Sequence, residues 1–108
     1  MKPMQMAPEW TPPVRTASEW QAQAVAHIAE TPCKFTPSQD LTLCEWLFKG
    51  YGIDHAAAMI EATPMEAKTR FRALRAGMVV MYGRDDVFPI VAQVALIDAL
   101  RARAAGVQ

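Results

Sequence analysis

The sequence predicts an all-α fold in which three central helices are flanked by an N-terminal helix and an apolar C-terminal helix. The pattern Thr-x-x-Glu/Gln, which marks a helix start, begins at Thr16, Thr36 and Thr63. Residues 87–97 contain one strongly polar side chain, Gln93, so the last helix is expected to be apolar nearly all round. A helix of this kind is either buried within its domain or shared with a second subunit.

The helix boundaries follow from local signals. In each capping box the threonine hydroxyl accepts a hydrogen bond from the N3 amide, and the N3 side chain bonds back to the threonine amide. Proline follows two of the threonines and fits the first helical position. Gly50, Gly52 and Gly77 predict helix ends through left-handed backbone. The predicted helices are residues 17–30, 37–49, 54–62 and 64–75, and a last helix that begins with a cap at Asp85 or Asp86, has Pro89 in its first turn, and ends near residue 104.

Four segments follow from these boundaries. Residues 1–15 are rich in Met and Pro and are expected to be extended or flexible, with Trp10 as an anchor. Residues 16–34 hold the N-terminal helix, 35–76 the three-helix unit and 77–108 the C-terminal helical segment. Residues 78–84 fit a turn of helix, a connector or a brief strand, because periodicity cannot distinguish these in so short a run.

Composition narrows the class of protein. The 108 residues suffice for one domain, and no apolar run is long enough for a membrane span or a signal peptide, so we expect a cytoplasmic protein. Cys33 and Cys44 match neither a disulfide framework nor a zinc pattern, so they are expected to be buried or neutral thiols. His27 and His55 lie in different helices, and no phosphate loop is present, so we expect no enzyme, cofactor or metal site.

Charge is distributed unevenly although the net charge is zero. Residues 35–63 carry one base against four acids, whereas residues 64–84 carry five bases against one acid, a balance of +4. Three of these bases, Lys68, Arg72 and Arg75, share one side of the predicted helix 64–75. This basic stripe fits contact with a nucleic acid, but it also fits an ordinary solvated helix face.

The central unit has a recognisable pattern: it begins F-T-P-S-Q-D at residue 35 and ends T-P-M-E-A-K-T-R-F at residue 71. It resembles the Myb/SANT-like family of helix-turn-helix domains, whose pattern begins W-T-x-E-E-D and ends T-x-x-Q-C-x-x-R-W. The family's central tryptophan has no counterpart between residues 52 and 59. Compact, tryptophan-poor versions of this unit in bacterial and phage regulators are similar in length and spacing. Core positions of the family's motif fall on Phe35, Asp40, Leu43, Trp46, Leu47, Arg70 and Phe71.

The resemblance implies that the helix starting at Pro64 is a recognition helix in the major groove of double-stranded DNA. Base contacts are then expected from Met65, Lys68 and Thr69, and phosphate contacts from Arg72, Arg75 and Arg84. Arg70 has two interpretations, because the family's corresponding arginine commonly pairs inside the domain, and Asp40 or Glu45 is available as such a partner. The function implied is a small transcriptional regulator.

An alternative function stays open. A SANT-like module without DNA contact would dock its acidic helices, or the apolar last helix, onto another protein such as part of the transcription machinery. The last helix also suggests a homodimer, which would supply a second DNA half-site. The residues expected at that dimer interface are Val87, Ile90, Val91, Val94 and Ile97.

Overall fold

The computed structural model describes residues 15–31 and 34–106, and it is mostly helical, as the sequence predicts. Two parts of the sequence prediction lie outside the described residues. One is Cys33, and the other is the predicted N-terminal segment with Trp10, of which only Arg15 is described. No described helix is long and apolar enough to cross a membrane. The elements are α1 (Ala17–Ala29), α2 (Pro37–Phe48), α3 (Ile53–Met59), α4 (Pro64–Ala76), β1 (Val80–Tyr82), β2 (Asp85–Val87) and α5 (Ile90–Ala104).

The three predicted capping boxes are present at the starts of α1, α2 and α4. The hydroxyls of Thr16, Thr36 and Thr63 each accept a hydrogen bond of 3.1 Å from the N3 amide. In every case the N3 side chain accepts a second hydrogen bond from the threonine amide. Proline occupies the first turn of α2 and of α4. Because these signals are local, they predict helix starts well even though the helices pack against distant partners.

Of the three interpretations left open for residues 78–84, the brief strand is the one found. Strands β1 and β2 form an antiparallel hairpin in which Val80 lies opposite Val87 and Tyr82 opposite Asp85. Its two-residue loop begins with Gly83, whose φ of 67° meets the need of such loops for left-handed backbone. The predicted cap at Asp85 or Asp86 is wrong because both residues belong to β2. Pro89 precedes α5 instead, with extended backbone and no side-chain cap.

The glycines divide into two kinds. Gly50 has a φ of 100°, which confirms left-handed backbone after α2. The same prediction is wrong for Gly52 and Gly77, which have φ values of −73° and −85°. Glycine is needed at 77 for space, because an added Cβ would overlap the imidazole ring of His27 on α1. The end of α4 therefore packs closely against α1.

Gly77→Ala is expected to lower the free energy of unfolding by about 1–3 kcal/mol, since the new methyl group displaces the His27 ring. In a His27→Ala background the same change should be neutral or stabilising by about 0.4–1 kcal/mol, because a φ near −85° suits any residue. Urea unfolding of the four proteins, followed by circular dichroism, measures both effects. An equal loss in the two backgrounds would show that the overlap with His27 is not the cause.

Helix α2 separates two groups of buried side chains. On one side Leu43 packs with Ala56, Ala57, Ile60 and Ala67, which belong to α3, its C-cap and α4. The other side of α2 contributes Cys44 to a larger core, in which the remaining members come from α1, α4, the hairpin region and α5: Trp20, Ala24, Ile28, Leu74, Met78, Val80, Ala92, Ala95, Leu96, Ala99 and Leu100. Helix α2 is therefore packed on two sides.

Burial also explains the chemistry of Cys44. Its side chain is fully buried, and burial raises the pKa of the thiol well above its usual value. The expected neutral thiol is therefore confirmed for Cys44. The three-helix unit α2–α4 thus has its own small core, while α1 and α5 cover the opposite side of α2 and leave one face of α4 uncovered.

Candidate nucleic-acid interface

Helix α4 has one buried face and one exposed face. Ala67, Arg70 and Leu74 point into the protein and are at most 6% exposed. The opposite face carries the side chains that the resemblance assigns to base contacts, and Met65 is 72% exposed. We call the exposed side chains Met65, Lys68, Thr69 and Arg72 the α4 outer face.

The buried face is fixed by an ion pair between α4 and α2. Arg70 donates from Nε to Asp40 Oδ1 at 2.8 Å and from Nη2 to Asp40 Oδ2 at 2.7 Å. Its Nη1 donates to the carbonyl oxygen of Thr31 at 2.7 Å. Of the two partners considered from the sequence, Asp40 is therefore the one found, while Glu45 pairs with Arg101. Such a bidentate pair defines the rotation of α4 about its axis.

The remaining motif residues belong to the smaller core between α2, α3 and α4. Leu43 is fully buried in this core, and four partly buried side chains pack against it. These four are Phe35, Trp46, Leu47 and Phe71. Phe71 also packs against the larger core and lies edge-on to Phe48, with 6.0 Å between ring centroids. The residues that the motif predicts to be structural are therefore buried or partly buried.

The start of α4 is held by Glu66. Its carboxylate bonds the Thr63 amide at 3.0 Å and forms an ion pair with Lys34, which lies before α2. The Lys34 bond, followed by the bonds from Thr63, lowers the pKa of Glu66 from 4.5 to about 2. A carboxylate in the first turn also interacts favourably with the helix dipole.

This pKa predicts a specific acid sensitivity. Because the folded value is below the unfolded value, the Glu66 contacts stabilise the fold fully above pH 4.5, and this stabilisation is lost as the pH falls from 4.5 toward about 2. In melting curves recorded between pH 6 and 2, Glu66→Gln should lose less stability with falling pH than the wild type. The matched change at exposed Glu61 should keep the wild-type pH dependence. Identical curves for wild type and Glu66→Gln would refute the assignment.

The end of α4 is held by side chains from α1 and β2. His27 Nε2 lies 2.8 Å from the carbonyl oxygen of Ala73 and donates to it, and Gln23 donates to the Gly77 carbonyl at 3.2 Å. Two bonds of 2.9 and 3.1 Å join Arg75 to Asp86. They lower the pKa of Asp86 and raise that of Arg75. The bonds of His27 and Gln23 therefore satisfy backbone carbonyl groups that the end of a helix leaves without an intrahelical partner.

These contacts change the charge pattern read from the sequence. Arg70 is buried against Asp40, and Arg75 is partly buried against Asp86, so neither presents its full charge to solvent. Three bases of this segment are exposed and form no ion pair with any described residue: Lys68, Arg72 and Arg84. Two of them belong to the α4 outer face. Arg84 lies at the tip of the hairpin, which the Arg75–Asp86 pair ties to the last turn of α4.

A hollow of about 400 Å³ borders the α4 outer face. One wall consists of Met65, Thr69 and Ala73, and the other of Thr31, Lys34 and Phe35. The sequence did not reveal it, because it arises where the connection between α1 and α2 meets α4, a contact between segments about 35 residues apart. Lys34 is also absent from the sequence-predicted site, although it is exposed beside α4 and bonds Glu66.

Comparison of the chain with protein-family models, with curated proteins and with solved structures gave no match in any of the three. The resemblance to Myb/SANT-like domains therefore rests on the motif residues. The role of α4 must be inferred from its geometry and its charge.

Proposed function

We propose that this protein binds double-stranded DNA, as a small regulator that places α4 in the major groove. The observation that carries the proposal is a helix bonded to neighbouring segments near both ends and along one face. Its exposed face presents two cations, Lys68 and Arg72, that form no ion pair with any described residue. Arg70 bonds α2, Arg75 bonds β2, and Glu66 bonds the connection that precedes α2. These bonds support a defined orientation of the outer face, which a recognition helix requires.

The side chains of the outer face suit the chemistry of the groove. Met65, Lys68 and Thr69 lie in the first half of α4, the part of a recognition helix that contacts base edges. Lysine donates to guanine acceptors, threonine bonds bases as donor or acceptor, and methionine supplies an apolar contact for a thymine methyl group. Arg72 and Arg84 are assigned to phosphates. Arg75 is reassigned as a positioning residue, because Asp86 already occupies its guanidinium.

Fluorescence anisotropy of a labelled mixed-sequence duplex, titrated with the protein at about 50 and about 200 mM salt, tests this function. Binding through phosphates must weaken steeply as salt rises, because counterions are released from the DNA. We expect saturable binding at the lower salt and a clear loss at the higher. Absence of binding at low salt, even at high protein concentration, would refute the proposal.

A second function is favoured by a different surface, at the junction of α2 and α3. Tyr51 stacks on His55 with 4.8 Å between ring centroids and meets Trp46 edge-on at 4.5 Å, and Tyr51 is 45% exposed. The exposed Asp54 is close in sequence to this cluster. Lys49 also lies over the Trp46 ring, with its Nζ 5.4 Å from the ring centroid. An exposed aromatic group of this kind suits a protein interface. If the anisotropy titration is flat, this protein-interaction function becomes the better account.

A further inference from the structure

The residues expected at a dimer interface do not form one surface. Val87 and Ile97 pack against the larger core, so much of their surface is already used within the chain. Ile90, Val91 and Val94 are exposed on α5. The homodimer therefore stays a prediction from the sequence. The charged tip of the hairpin, by contrast, is joined directly to α4 through an ion pair.

The tip of the hairpin is small apart from one cation. Strands β1 and β2 are joined by a two-residue loop, Gly83 and Arg84. Arg84 is exposed and forms no ion pair with any residue of the described chain. Because glycine carries no side chain, the loop can approach another molecule closely. The end of the hairpin is therefore narrow and presents a guanidinium to solvent.

The two acids that follow Arg84 in β2 lie on opposite faces of the hairpin, because successive residues of a strand alternate. Asp86 accepts two bonds from Arg75 of α4, at 2.9 and 3.1 Å, so its charge is already balanced. Asp85 belongs to the same face as Val87, which packs against the larger core. The face that is bonded to α4 therefore carries no unbalanced acid.

The hairpin extends the basic stripe of α4. Lys68 and Arg75 are about 10 Å apart along the helix axis, at about 1.5 Å per residue. Arg75 holds Asp86, and the strand from Asp86 back to Arg84 covers about 7 Å. The hairpin thus lets Arg84 reach on the order of 17 Å beyond Lys68.

A duplex offers a second groove at this distance from the first. Major and minor grooves alternate along one side of B-DNA, so their centres are about half a helical turn, roughly 17 Å, apart. The minor groove is about 6 Å wide, which excludes a helix but admits an arginine side chain. In runs of A·T pairs the groove is narrower, and its stronger negative potential attracts arginine.

We propose that Arg84 enters the minor groove beside the major-groove site of α4 and favours a run of A·T base pairs there. This inference rests on the proposed function and deepens it, since it names the class of sequence beside that site. The guanidinium donates to adenine N3 and thymine O2, which A·T pairs present in the minor groove. A G·C pair adds the N2 amino group of guanine, a donor that opposes the guanidinium. Arg84 thus reads bases beyond the phosphate contact assigned to it.

Three duplexes of equal length separate reading of the minor groove from reading of the major groove. They consist of alternating A·T pairs, alternating G·C pairs and alternating inosine–cytosine pairs. An inosine–cytosine pair lacks the guanine amino group, so it presents the minor groove of A·T and the major groove of G·C. Fluorescence anisotropy with the full chain at low salt gives the affinity for each. The wild type should bind the A·T and inosine duplexes at least about fivefold more tightly than the G·C duplex.

Two variants assign this preference to a residue. Arg84→Ala should bring the three affinities within about twofold of one another, because it weakens the A·T and inosine complexes most. The matched control is Arg72→Ala, which removes one exposed cation from α4. It should weaken all three complexes by a similar factor and keep the preference, as for the loss of a phosphate contact. Circular dichroism checks that each variant is folded.

The grouping of the inosine duplex decides between the grooves. If it binds as weakly as the G·C duplex while the A·T duplex binds tightly, the preference arises in the major groove. That result overturns the role of Arg84 and leaves DNA binding by α4 intact. Equal wild-type affinities for the three duplexes, or a preference that Arg84→Ala retains, overturn the role in the same way. A protein that binds none of the duplexes at low salt overturns both this inference and the proposed function.

Discussion

Asp40→Asn is expected to lower the free energy of unfolding by about 3–5 kcal/mol, because it leaves the Arg70 guanidinium buried without its counter-ion. Both side chains are at most 6% exposed, so water cannot replace the lost carboxylate. Domains of this size are stable by about 5–15 kcal/mol in total, so the loss is a large part of the whole. Urea unfolding followed by circular dichroism gives the value directly.

Two control variants test whether the loss of stability comes from an unpaired buried charge. Glu45→Gln breaks the exposed pair with Arg101 and should change stability by less than about 1 kcal/mol. The double variant Asp40→Leu with Arg70→Met replaces the buried pair by apolar side chains and should recover most of the stability. A loss below about 1 kcal/mol for Asp40→Asn would contradict the claim that this pair holds α4 in place.

Replacing both Lys68 and Arg72 with alanine is expected to lower the affinity for duplex DNA at low salt by at least about tenfold. Both cations belong to the α4 outer face and form no ion pair with any residue that the structure describes. Arg72→Ala alone should reduce the slope of log K against log salt by about 1, as for the loss of one phosphate contact. Anisotropy titrations at several salt concentrations measure both quantities.

The control has to remove the same charge from another surface. Lys49 at the end of α2 and Arg103 on α5 are exposed bases outside the α4 outer face. Replacing both with alanine gives a control variant with the same net charge as the test variant. It should leave the affinity within about threefold, because distant exposed charges are screened. Arg75→Ala should leave the salt slope unchanged, since Arg75 is bonded to Asp86. An equal loss from both double variants would indicate non-specific attraction instead of a site on α4.

Local signals in the sequence predict the helix starts and the inner face of α4. Thr16, Thr36 and Thr63 each cap a helix through bonds to residues three positions on, so nothing beyond that window is needed. Local signals do not identify the partner of Arg70, because both candidate acids, Asp40 and Glu45, belong to α2. Only the packing of α4 on α2 shows that Asp40 is close enough.

Other features depend on contacts outside a single helix-capping window, from adjacent strands to segments fifty residues apart, so local helix signals did not reveal them. Asp85 and Asp86 look like helix caps by residue type, but their pairing with β1 places them in a strand. Gly77 looks like a helix end chosen for its backbone freedom, whereas His27, fifty residues earlier, makes a small residue necessary. The sequence does not show that Asp86 is the partner of Arg75, because only the hairpin brings the two side chains together.

The central claim is that the α4 outer face contacts duplex DNA, and amide chemical shifts test it most directly. A ¹⁵N-labelled sample titrated with a mixed duplex at low salt should show its largest shifts between Met65 and Arg72, with a smaller group near Arg84. Added salt should reverse these shifts, because they depend on phosphate contacts. A spectrum that does not change, or changes confined to α3 or α5, would contradict the assignment of α4 as the DNA-binding helix.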